Sequence, residues 1–445
     1  MENYYLIGER LAHSWSAEIH RAFGRYDYEL LELSPAELGS FLKARDFAGL
    51  NVTIPYKEAV IPYLDRLDPA AAAIGAVNTV VNRDGTLWGY NTDFGGMAAA
   101  LVRDGIDLKG KTVLILGTGG SSKTALAVCR SLGAAQIFRV SRTDKDGALS
   151  YTEAYARFGR LLPRDSGSDA PHPSAPAALP PSPEGEGFGP ADTQRPVLIN
   201  CTPVGMWPNN DETPLSLTRC QGPSCVFDCV YNPLRTRLVL EAQARGIPAA
   251  GGLYMLVKQA ALACGLFTGI PAEDEQVDII YNSLRREQEN IVLIGMPGAG
   301  KTTIGRILAQ KCGKKFVDID EELVARTGKP VSAIFAASGE ECFRDLESAA
   351  VREAAALSGA VIATGGGTVL RAENVRRLKQ NGRLVFLDRP LAALVPSPDR
   401  PLGDTAEKVA RLSAERAPLY AAAADLTVPV AGSPEETAEA VLAAL

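Results

Sequence analysis

The sequence NIVLIGMPGAGKTT, residues 290–303, predicts the fold of the C-terminal part of this chain. A short apolar, β-branched run leads into a loop that matches G-x-x-x-x-G-K-[ST], and the helix-forming stretch IGRILAQKCG follows. The glycines of such a loop let backbone N–H groups turn toward phosphate oxygens. Lys301 adds a positive charge for the β- and γ-phosphates, and Thr302 offers a hydroxyl to Mg²⁺. The stretch therefore predicts an α/β domain of the P-loop type with a parallel sheet.

A second glycine-rich turn, GTGGSS at 117–122, lies between the apolar run KTVLIL and the helical stretch KTALAVCRSLG. Another strand-like run, QIFRVSR, comes next, so this order predicts a βαβ unit and favours a dinucleotide site over a simple tight turn. That strand leads into Ser141, Arg142 and Thr143, where an NAD site would usually place Asp or Glu. Because a guanidinium can neutralise a 2′-phosphate, the sequence favours NADP(H).

Length and composition indicate several globular domains. The chain has 445 residues, of which 46% are hydrophobic and 22% charged, as expected for two or three ordinary domains. A net charge of −6 does not favour nucleic acid as a partner. The N-terminal MENYYLIGER lacks the features of a signal peptide, and no apolar run reaches the ~18–20 residues of a membrane span. We therefore expect a cytoplasmic protein with neither a nucleic-acid nor a membrane partner.

Cysteine and histidine usage argues against a metal centre built from these residues. Cys220, Cys225 and Cys229 lie close together, but their spacing fits no common zinc pattern and no His lies near them. Free thiols in a reducing compartment are the better interpretation. Since the chain has only three His, we expect any catalytic acid or base to be Lys, Asp or Glu.

Small polar residues interrupt the apolar runs of the first 100 positions. They occur in the stretches AHSWSAEIH, NVTIPYKE, GAVNTV and GYNTDFGG. Such a set suits a small polyhydroxylated substrate held by many hydrogen bonds. Individually, each residue could equally serve a turn or a helix cap, and Lys57 alone would usually be a solvated lysine.

Together these stretches resemble shikimate dehydrogenase. The similarity continues through GTGGSS, SRT, NCTPVGM, DCVYNPLRTRL and GGLYMLVKQA, and it covers about residues 1–270 apart from a Pro-rich insertion. The resemblance implies that Lys57 and Asp93 form the catalytic pair, which agrees with the need to deliver a proton to the ketone oxygen as hydride reaches carbon. It is compatible with a homodimer formed through this part of the chain. It also implies a substrate set of Ser14, Ser16, Thr53, Asn78, Asn91, Asp93, Tyr231 and Gln259, and a cofactor set of Gly117, Gly119, Gly120, Ser121, Ser141, Arg142, Thr143, Gly252 and Met255.

Charged residues also follow the P-loop in a characteristic order. The run VDID places Asp318 and Asp320 two apart at the end of a strand, although Asp320 could also cap the next helix. In GEECFRDLE, Arg344 lies three residues before Glu347, which would allow a plain surface ion pair. The stretch VIATGGG reads as a buried strand ending in three glycines that let a ligand approach the backbone.

Residues 290–445 resemble shikimate kinase along their whole length. The shared stretches are GMPGAGKTT, DID, RTGKPVSAIF, GEECFRDLE, TGGG, RPL and RAPLY. The lid stretch LAALVPSPDRPL is shorter and richer in Pro than is usual in the family. The resemblance implies that Asp320, Lys301 and Arg400 act in catalysis and that Asp320, Arg344, Gly366, Gly367 and Arg416 hold shikimate. Gly298, Ala299, Gly300, Lys301, Thr302, Thr303 and Arg400 would bind ATP, with Thr302 and Asp318 near Mg²⁺.

These observations predict an α/β protein with two active sites that share one small ring acid. One site would reduce 3-dehydroshikimate to shikimate with NADPH, and the other would phosphorylate shikimate with ATP. An NAD-preferring quinate/shikimate dehydrogenase fused to the kinase is the alternative, against which Ser16 and Arg142 argue. Modules that have lost catalysis and a P-loop kinase with another acceptor also stay open.

The chain is predicted to comprise four regions. It has a substrate domain at 1–100 completed by helices at about 252–285, a Rossmann-like NADP domain at 101–251 with a disordered Pro-rich insertion at about 164–196, a linker region at 272–289, and a P-loop domain at 290–445.

Overall fold

The computed structural model describes residues 3–11, 14–143, 147–158, 195–217, 222–395 and 404–445. Most of the predicted Pro-rich insertion and the predicted lid residue Arg400 lie outside these ranges. We call the chain up to residue 289 the first module and residues 290–445 the second module.

The N-terminal part of the first module folds around a mixed six-stranded sheet of order β2-β1-β3-β5-β6-β4. Strands β1, β2 and β3 are parallel, whereas β5 runs antiparallel to β3 and β6. The elements are β1 (Tyr4–Gly8), α1 (Ser16–Phe23), β2 (Tyr28–Glu32), α2 (Pro35–Ala44), β3 (Gly49–Val52), β4 (Arg66–Leu67), α3 (Pro69–Ile74), β5 (Thr79–Arg83), β6 (Thr86–Tyr90) and α4 (Thr92–Arg103).

A second six-stranded sheet, of order β12-β11-β10-β7-β8-β9, is parallel throughout. Its central strands are buried along their whole length, as expected when helices cover both faces. The elements are β7 (Thr112–Leu116), α5 (Gly120–Ser131), β8 (Gln136–Ser141), β9 (Leu149–Ser150), α6 (Tyr151–Phe158), β10 (Val197–Asn200), β11 (Cys225–Asp228), α7 (Arg237–Gln243) and β12 (Ala249–Gly251).

Two further helices, α8 (Leu253–Thr268) and α9 (Asp274–Gln288), return to the N-terminal part. At the crossing of α4 and α8, a Cβ on Gly96 would lie 2.8 Å from the Met255 carbonyl oxygen, so only glycine permits this close approach. Helix α9 occupies most of the expected linker region. Its Val277, Ile280 and Leu284 are buried in the core that α1, α4 and α8 share with β7 and β10, so this stretch is an integral helix of the first module.

The second module has a five-stranded parallel sheet of order β14-β15-β13-β16-β17, with the P-loop strand β13 in the centre. Helix α12 is kinked at Gly339, whose φ is 77°. The elements are β13 (Asn290–Ile294), α10 (Lys301–Cys312), β14 (Lys315–Asp318), α11 (Ile319–Thr327), α12 (Val331–Ala355), β15 (Ala360–Ala363), α13 (Ala372–Asn381), β16 (Gly382–Asp388), α14 (Ala406–Ala423), β17 (Leu426–Pro429) and α15 (Pro434–Ala444).

Among the described residues, no helix combines the length and the apolar character that crossing a membrane would require.

Candidate active sites

A lysine–aspartate pair marks the first candidate site. Lys57, in the turn after β3, donates a hydrogen bond from Nζ to Oδ2 of Asp93 over 2.6 Å. The side chains are only 15% and 8% exposed, respectively, so bulk water screens this charge pair weakly. Asp93 lies in the first turn of α4, whose N-cap Asn91 accepts a hydrogen bond from the Phe94 N–H. The pair predicted from two separate motifs is therefore in contact.

A buried amide network lies beside this pair. Asn78 donates to Thr92 Oγ1 over 3.0 Å and to Gln259 Oε1 over 3.3 Å, and its own Oδ1 accepts the Thr92 N–H at 2.7 Å. These contacts join β5, α4 and α8, and all three side chains are buried. Thr92 was absent from the predicted set of substrate-binding residues. Its position between the predicted Asn91 and Asp93 could have indicated that it belongs to the site.

Hydroxyl groups converge at the start of α1. Ser14 Oγ donates to Ser16 Oγ over 3.1 Å, and the Tyr231 phenol lies near Ser14. Burial raises the pKa of Tyr231 to about 12, although the contact with Ser14 opposes that shift, so the phenol keeps its proton at neutral pH. The Tyr231 ring packs against Trp15 with a centroid distance of 5.2 Å. Thr53, the remaining predicted residue, is half-buried just after β3.

The predicted cofactor turn adjoins the lysine. A Cβ on Gly120 would lie 3.4 Å from Cβ of Lys57, so the N-terminus of α5 and the lysine line one cleft. Gly117 has a φ of 105°, and Ser122 Oγ donates to its carbonyl oxygen over 2.7 Å. Asn91 Nδ2 donates to Thr124 Oγ1 of α5 over 3.2 Å, which ties α4 to the cofactor helix.

The other predicted cofactor residues lie at or just after the ends of two different strands of the second sheet, β8 and β12. Ser141 is buried at the end of β8 and accepts the Thr143 N–H at 3.2 Å, which leaves Arg142 exposed between them. Gly252 N–H donates to the Val230 carbonyl over 3.0 Å, and a Cβ on Gly252 would overlap the Cys229 carbonyl oxygen. No larger residue fits at that position.

The second candidate site begins with the P-loop. Lys301 Nζ donates to the carbonyl oxygens of Gly295 and Met296 over 2.8 and 3.0 Å. The three loop glycines have φ angles of 145°, 85° and 96°, which favour glycine and turn the backbone around a phosphate-sized space. Thr302 Oγ1 donates to Asp318 Oδ2 over 2.7 Å. This hydroxyl–carboxylate pair offers the oxygen ligands that Mg²⁺ prefers.

Acidic and basic groups converge beyond the P-loop. Burial, together with the charges of Asp318 and Glu347, raises the pKa of Asp320 to about 6, although Lys301 and Arg344 oppose this shift. Asp318, and not Asp320, caps α11, because its carboxylate accepts the Asp320 and Glu321 N–H groups. The Asp320 carboxylate is therefore not engaged in capping its helix.

A guanidinium lies directly on the triple-glycine loop. A Cβ on Gly367 would overlap Nη1 of Arg344, so glycine is required for this contact. Arg344 also donates to Glu347 over 2.9 Å, and both side chains are buried, which excludes a plain surface pair. Arg416 Nη1 donates to the Gly366 carbonyl over 3.2 Å, and Tyr420 OH donates to the same oxygen. The loop is thus held between α12 and α14.

Two charged groups near this site were absent from the predicted set. Arg389, after β16, donates from Nη1 to the Gly298 carbonyl over 3.4 Å, and the stretch DRPL that contains it was a usable signal. Glu347 Oε1 accepts the Thr368 hydroxyl at 2.8 Å and so fixes the carboxylate that orients Arg344. The remaining predicted residues Gly119, Ser121, Met255, Ala299 and Thr303 lie in the turns and helix starts already described.

No group of three or more His, Cys, Asp or Glu side chains that could hold a metal ion occurs within the described ranges. Cys225 and Cys229 are free thiols, and Cys220 lies outside those ranges. His20 is fully buried and stacks on Tyr28 at 3.9 Å, and burial lowers its pKa to about 3. Its role is therefore in packing.

Two family models match separate parts of the chain. One, described as shikimate dehydrogenase substrate binding domain, matches residues 6–80, and another, described as shikimate kinase, matches residues 297–445. A shikimate dehydrogenase (NADP(+)) from Moorella thermoacetica is 36% identical over 309 residues, which are 66% of this chain and 96% of that relative.

Solved structures agree in fold. Shikimate dehydrogenase 1 from Peptoclostridium difficile aligns with a TM-score of 0.53 at 31% identity, covering 64% of this chain and 98% of its own. Shikimate 5-dehydrogenase from Thermus thermophilus, in complex with NADP(H) and shikimate, aligns with a TM-score of 0.50 at 30% identity, covering 64% and 99%. The α/β fold class predicted from the sequence is confirmed.

Proposed function

We propose that the two sites act in succession, because the chain belongs to the shikimate dehydrogenase family and carries a shikimate kinase domain after it. The first would reduce 3-dehydroshikimate to shikimate, and the second would convert shikimate to shikimate 3-phosphate. Both resemblances drawn from the sequence motifs are confirmed, and the chain is an enzyme with both activities of the shikimate pathway. The direction of the first reaction and the residue roles are the proposal.

The contact between Lys57 and Asp93 is the observation that carries the dehydrogenase proposal. Bound NADPH would supply the hydride, and bound ATP the phosphoryl group. Lys57 would donate the proton that the developing alkoxide needs, because it lies beside the cofactor turn with its ammonium held 2.6 Å from Asp93. The serines, Tyr231 and the amide network would orient the ring through its carboxylate and hydroxyls. These groups come from two domains, so the substrate would sit in the cleft between them.

Arg142 supports NADPH as the cofactor of this site. It is exposed directly after β8, where a ribose 2′-phosphate would lie in a dinucleotide fold. Relatives described as shikimate dehydrogenase (NADP(+)) support the same choice. The glycine turn and the start of α5 would receive the pyrophosphate through backbone N–H groups.

Asp320 is the proposed acceptor of the shikimate hydroxyl proton in the kinase. A pKa of about 6 leaves it ionised at neutral pH yet more basic than an ordinary carboxylate. Arg344 and Arg416, both buried beside the glycine loop, would bind the shikimate carboxylate. Lys301 would bind the transferred phosphate, and Thr302 with Asp318 would hold Mg²⁺. Arg400 would close onto the phosphate from the lid.

A coupled assay tests the proposal directly. Purified protein given 3-dehydroshikimate, NADPH, ATP and Mg²⁺ should oxidise NADPH and form shikimate 3-phosphate, detected by mass spectrometry. Lys301→Ala should stop at shikimate, because only phosphoryl transfer is removed. Turnover of quinate with NAD that exceeds turnover of shikimate with NADP would replace the dehydrogenase proposal with the NAD-preferring alternative. Failure to phosphorylate shikimate would remove the kinase proposal.

A further inference from the structure

The two modules share an interface built from polar groups. Helix α13 of the kinase has the polar sequence AENVRRLKQN, yet Gln380 and Asn381 at its end are 2% and 0% exposed. Gln380 donates from Nε2 to the Asn210 carbonyl of the dehydrogenase over 2.6 Å, and its own carbonyl accepts the Arg235 N–H at 2.9 Å. Asn381 Oδ1 accepts the Leu234 N–H at 2.9 Å. Backbone groups of the dehydrogenase therefore satisfy the polar end of this helix.

Charges of both modules surround these bonds. Asp211 of the dehydrogenase accepts hydrogen bonds from Arg376 and Arg377, each at 3.0 Å. Burial would raise the pKa of Asp211, but the two guanidinium groups hold it below its ordinary value. Arg235 donates to the Gly382 carbonyl over 2.6 Å. We call the set of residues 210–211, 234–235, 376–377 and 380–382 the inter-module interface.

The dehydrogenase side of this interface is continuous with its active site. Asp228 accepts the Val230 N–H at 3.0 Å and the Thr236 hydroxyl at 2.7 Å, so both ends of the segment 229–236 are tied to one buried carboxylate. Within that segment, the Tyr231 ring packs against Trp15, the neighbour of Ser14, with a centroid distance of 5.2 Å. Three and four residues after Tyr231, the N–H groups of Leu234 and Arg235 donate hydrogen bonds to the kinase module. The kinase therefore contacts the segment between its two fixed ends.

We propose that the kinase module serves as a support for segment 229–236 of the dehydrogenase, so that the inter-module interface positions Tyr231 in the shikimate pocket. The dehydrogenase side of the inter-module interface binds the polar C-terminal end of α13, which belongs to the same chain. A separate, flexibly tethered kinase would leave Asp211 and the Leu234 and Arg235 N–H groups facing water. Arg235, Asp211 and Gln380 are positioning residues in this proposal, since they touch neither substrate nor cofactor.

Opening the interface in the full-length protein tests the proposal. Asp211→Ala and Gln380→Ala should each speed hydrogen exchange across 229–236 by about tenfold, because each removes contacts that hold the kinase module against this segment. The dehydrogenase KM for shikimate should rise about three- to tenfold with kcat within about twofold, since roughly 1 kcal/mol of binding corresponds to about fivefold. Asp211→Glu, which keeps the carboxylate, should retain most of the unmodified protein's exchange rate and KM. Asp404→Ala, which breaks an exposed pair with Lys408 outside the inter-module interface, is the matched control.

The outcomes are separable from those of the proposed reactions. Exchange rates across 229–236 report the interface whether or not shikimate is the substrate, so a wrong substrate assignment leaves this readout intact. If Asp211→Ala misfolds, the milder Gln380→Ala provides the same measurement. Exchange and KM equal to those of Asp404→Ala in both variants would overturn the proposal. A loss of kcat without a change in KM would also overturn it, because positioning of Tyr231 should act on binding.

Discussion

The two active sites are assembled in different ways. The kinase site follows the carboxyl ends of adjacent parallel strands: the P-loop after β13, Asp318 at the end of β14 and the glycine loop after β15. The dehydrogenase site instead gathers side chains from Ser14 to Gln259 across two sheets and two packed helices. A kinase of this kind can be identified from one loop and its neighbours, whereas the dehydrogenase pocket exists only once its two domains meet.

Their electrostatics differ as well. Lys57 and Asp93 form a compact pair of opposite charges. The kinase site instead places three carboxylates within one shielded region, and burial together with their mutual repulsion raises the pKa of Asp320. In the proposed mechanism, the first site holds a proton donor in position with an anion, whereas the second prepares a proton acceptor. The following predictions test this difference.

Lys57→Ala should have the largest effect. The dehydrogenase kcat should fall by about 10²–10⁴-fold, the usual contribution of a positioned proton donor, while NADPH binding and kinase activity persist. The measurement is NADPH oxidation with 3-dehydroshikimate, with binding of NADPH followed by fluorescence. Lys43→Ala, at an exposed lysine of α2, is the control. An unchanged kcat would remove Lys57 from the mechanism.

Asp320→Asn should reduce the kinase kcat by about 10²–10³-fold, because the amide cannot accept the hydroxyl proton. The KM for ATP should stay within about twofold, since the P-loop is untouched. ADP formation with shikimate is the measurement, and the dehydrogenase rate of the same sample reports intact folding. Glu321→Gln, at an exposed neighbour in the same turn, serves as the matched control. Equal kcat values for the two variants would argue against a base at Asp320.

Arg142→Ala should act on cofactor choice. The KM for NADPH should rise about tenfold or more, because a charged hydrogen bond to phosphate contributes about 1.5–3 kcal/mol. The KM for NADH should change by less than about twofold, since NADH has no 2′-phosphate. Steady-state kinetics with both cofactors check this, with the exposed Arg130→Ala of α5 as control. A parallel change for both cofactors would place the phosphate elsewhere.

The pH dependence of the kinase should be the mildest of the four effects. In the proposed mechanism, the ionised form of Asp320 is the active one. Because the pKa of Asp320 is raised to about 6, kcat/KM should fall as the pH drops through about 6, approaching tenfold per unit below it. An ordinary carboxylate would keep its charge until about pH 4. Initial rates from pH 5 to 8 measure this. Dehydrogenase activity after return to neutral pH controls for unfolding, and a flat profile down to pH 5 would contradict the raised pKa.

Short, contiguous motifs were the basis of most predictions made from the sequence. The P-loop, the glycine turn and their flanking strands predicted both nucleotide sites, because phosphate binding uses backbone groups of a few consecutive residues. Lys57 and Asp93 could be paired only through the family resemblance, since they lie 36 residues apart. Thr92 and Arg389 were missed because their contacts come from α8 and the P-loop, which periodicity alone does not bring close. Most of the expected linker at 272–289 is a packed helix. Its many charged residues are interspersed with the buried Val277, Ile280 and Leu284, which the composition alone does not reveal.

The two α/β modules, their phosphate loops and the residue types proposed for hydride and phosphoryl transfer can be inferred from the amino-acid sequence, because they depend on short, contiguous patterns of backbone and side chain. The folded molecule was needed to show which carboxylate has a raised pKa, how the Asn78 network contacts α8, and that α13 docks onto segment 229–236. Burial, pairwise distance and the satisfaction of polar groups between distant segments arise from packing, and no stretch of sequence encodes them alone.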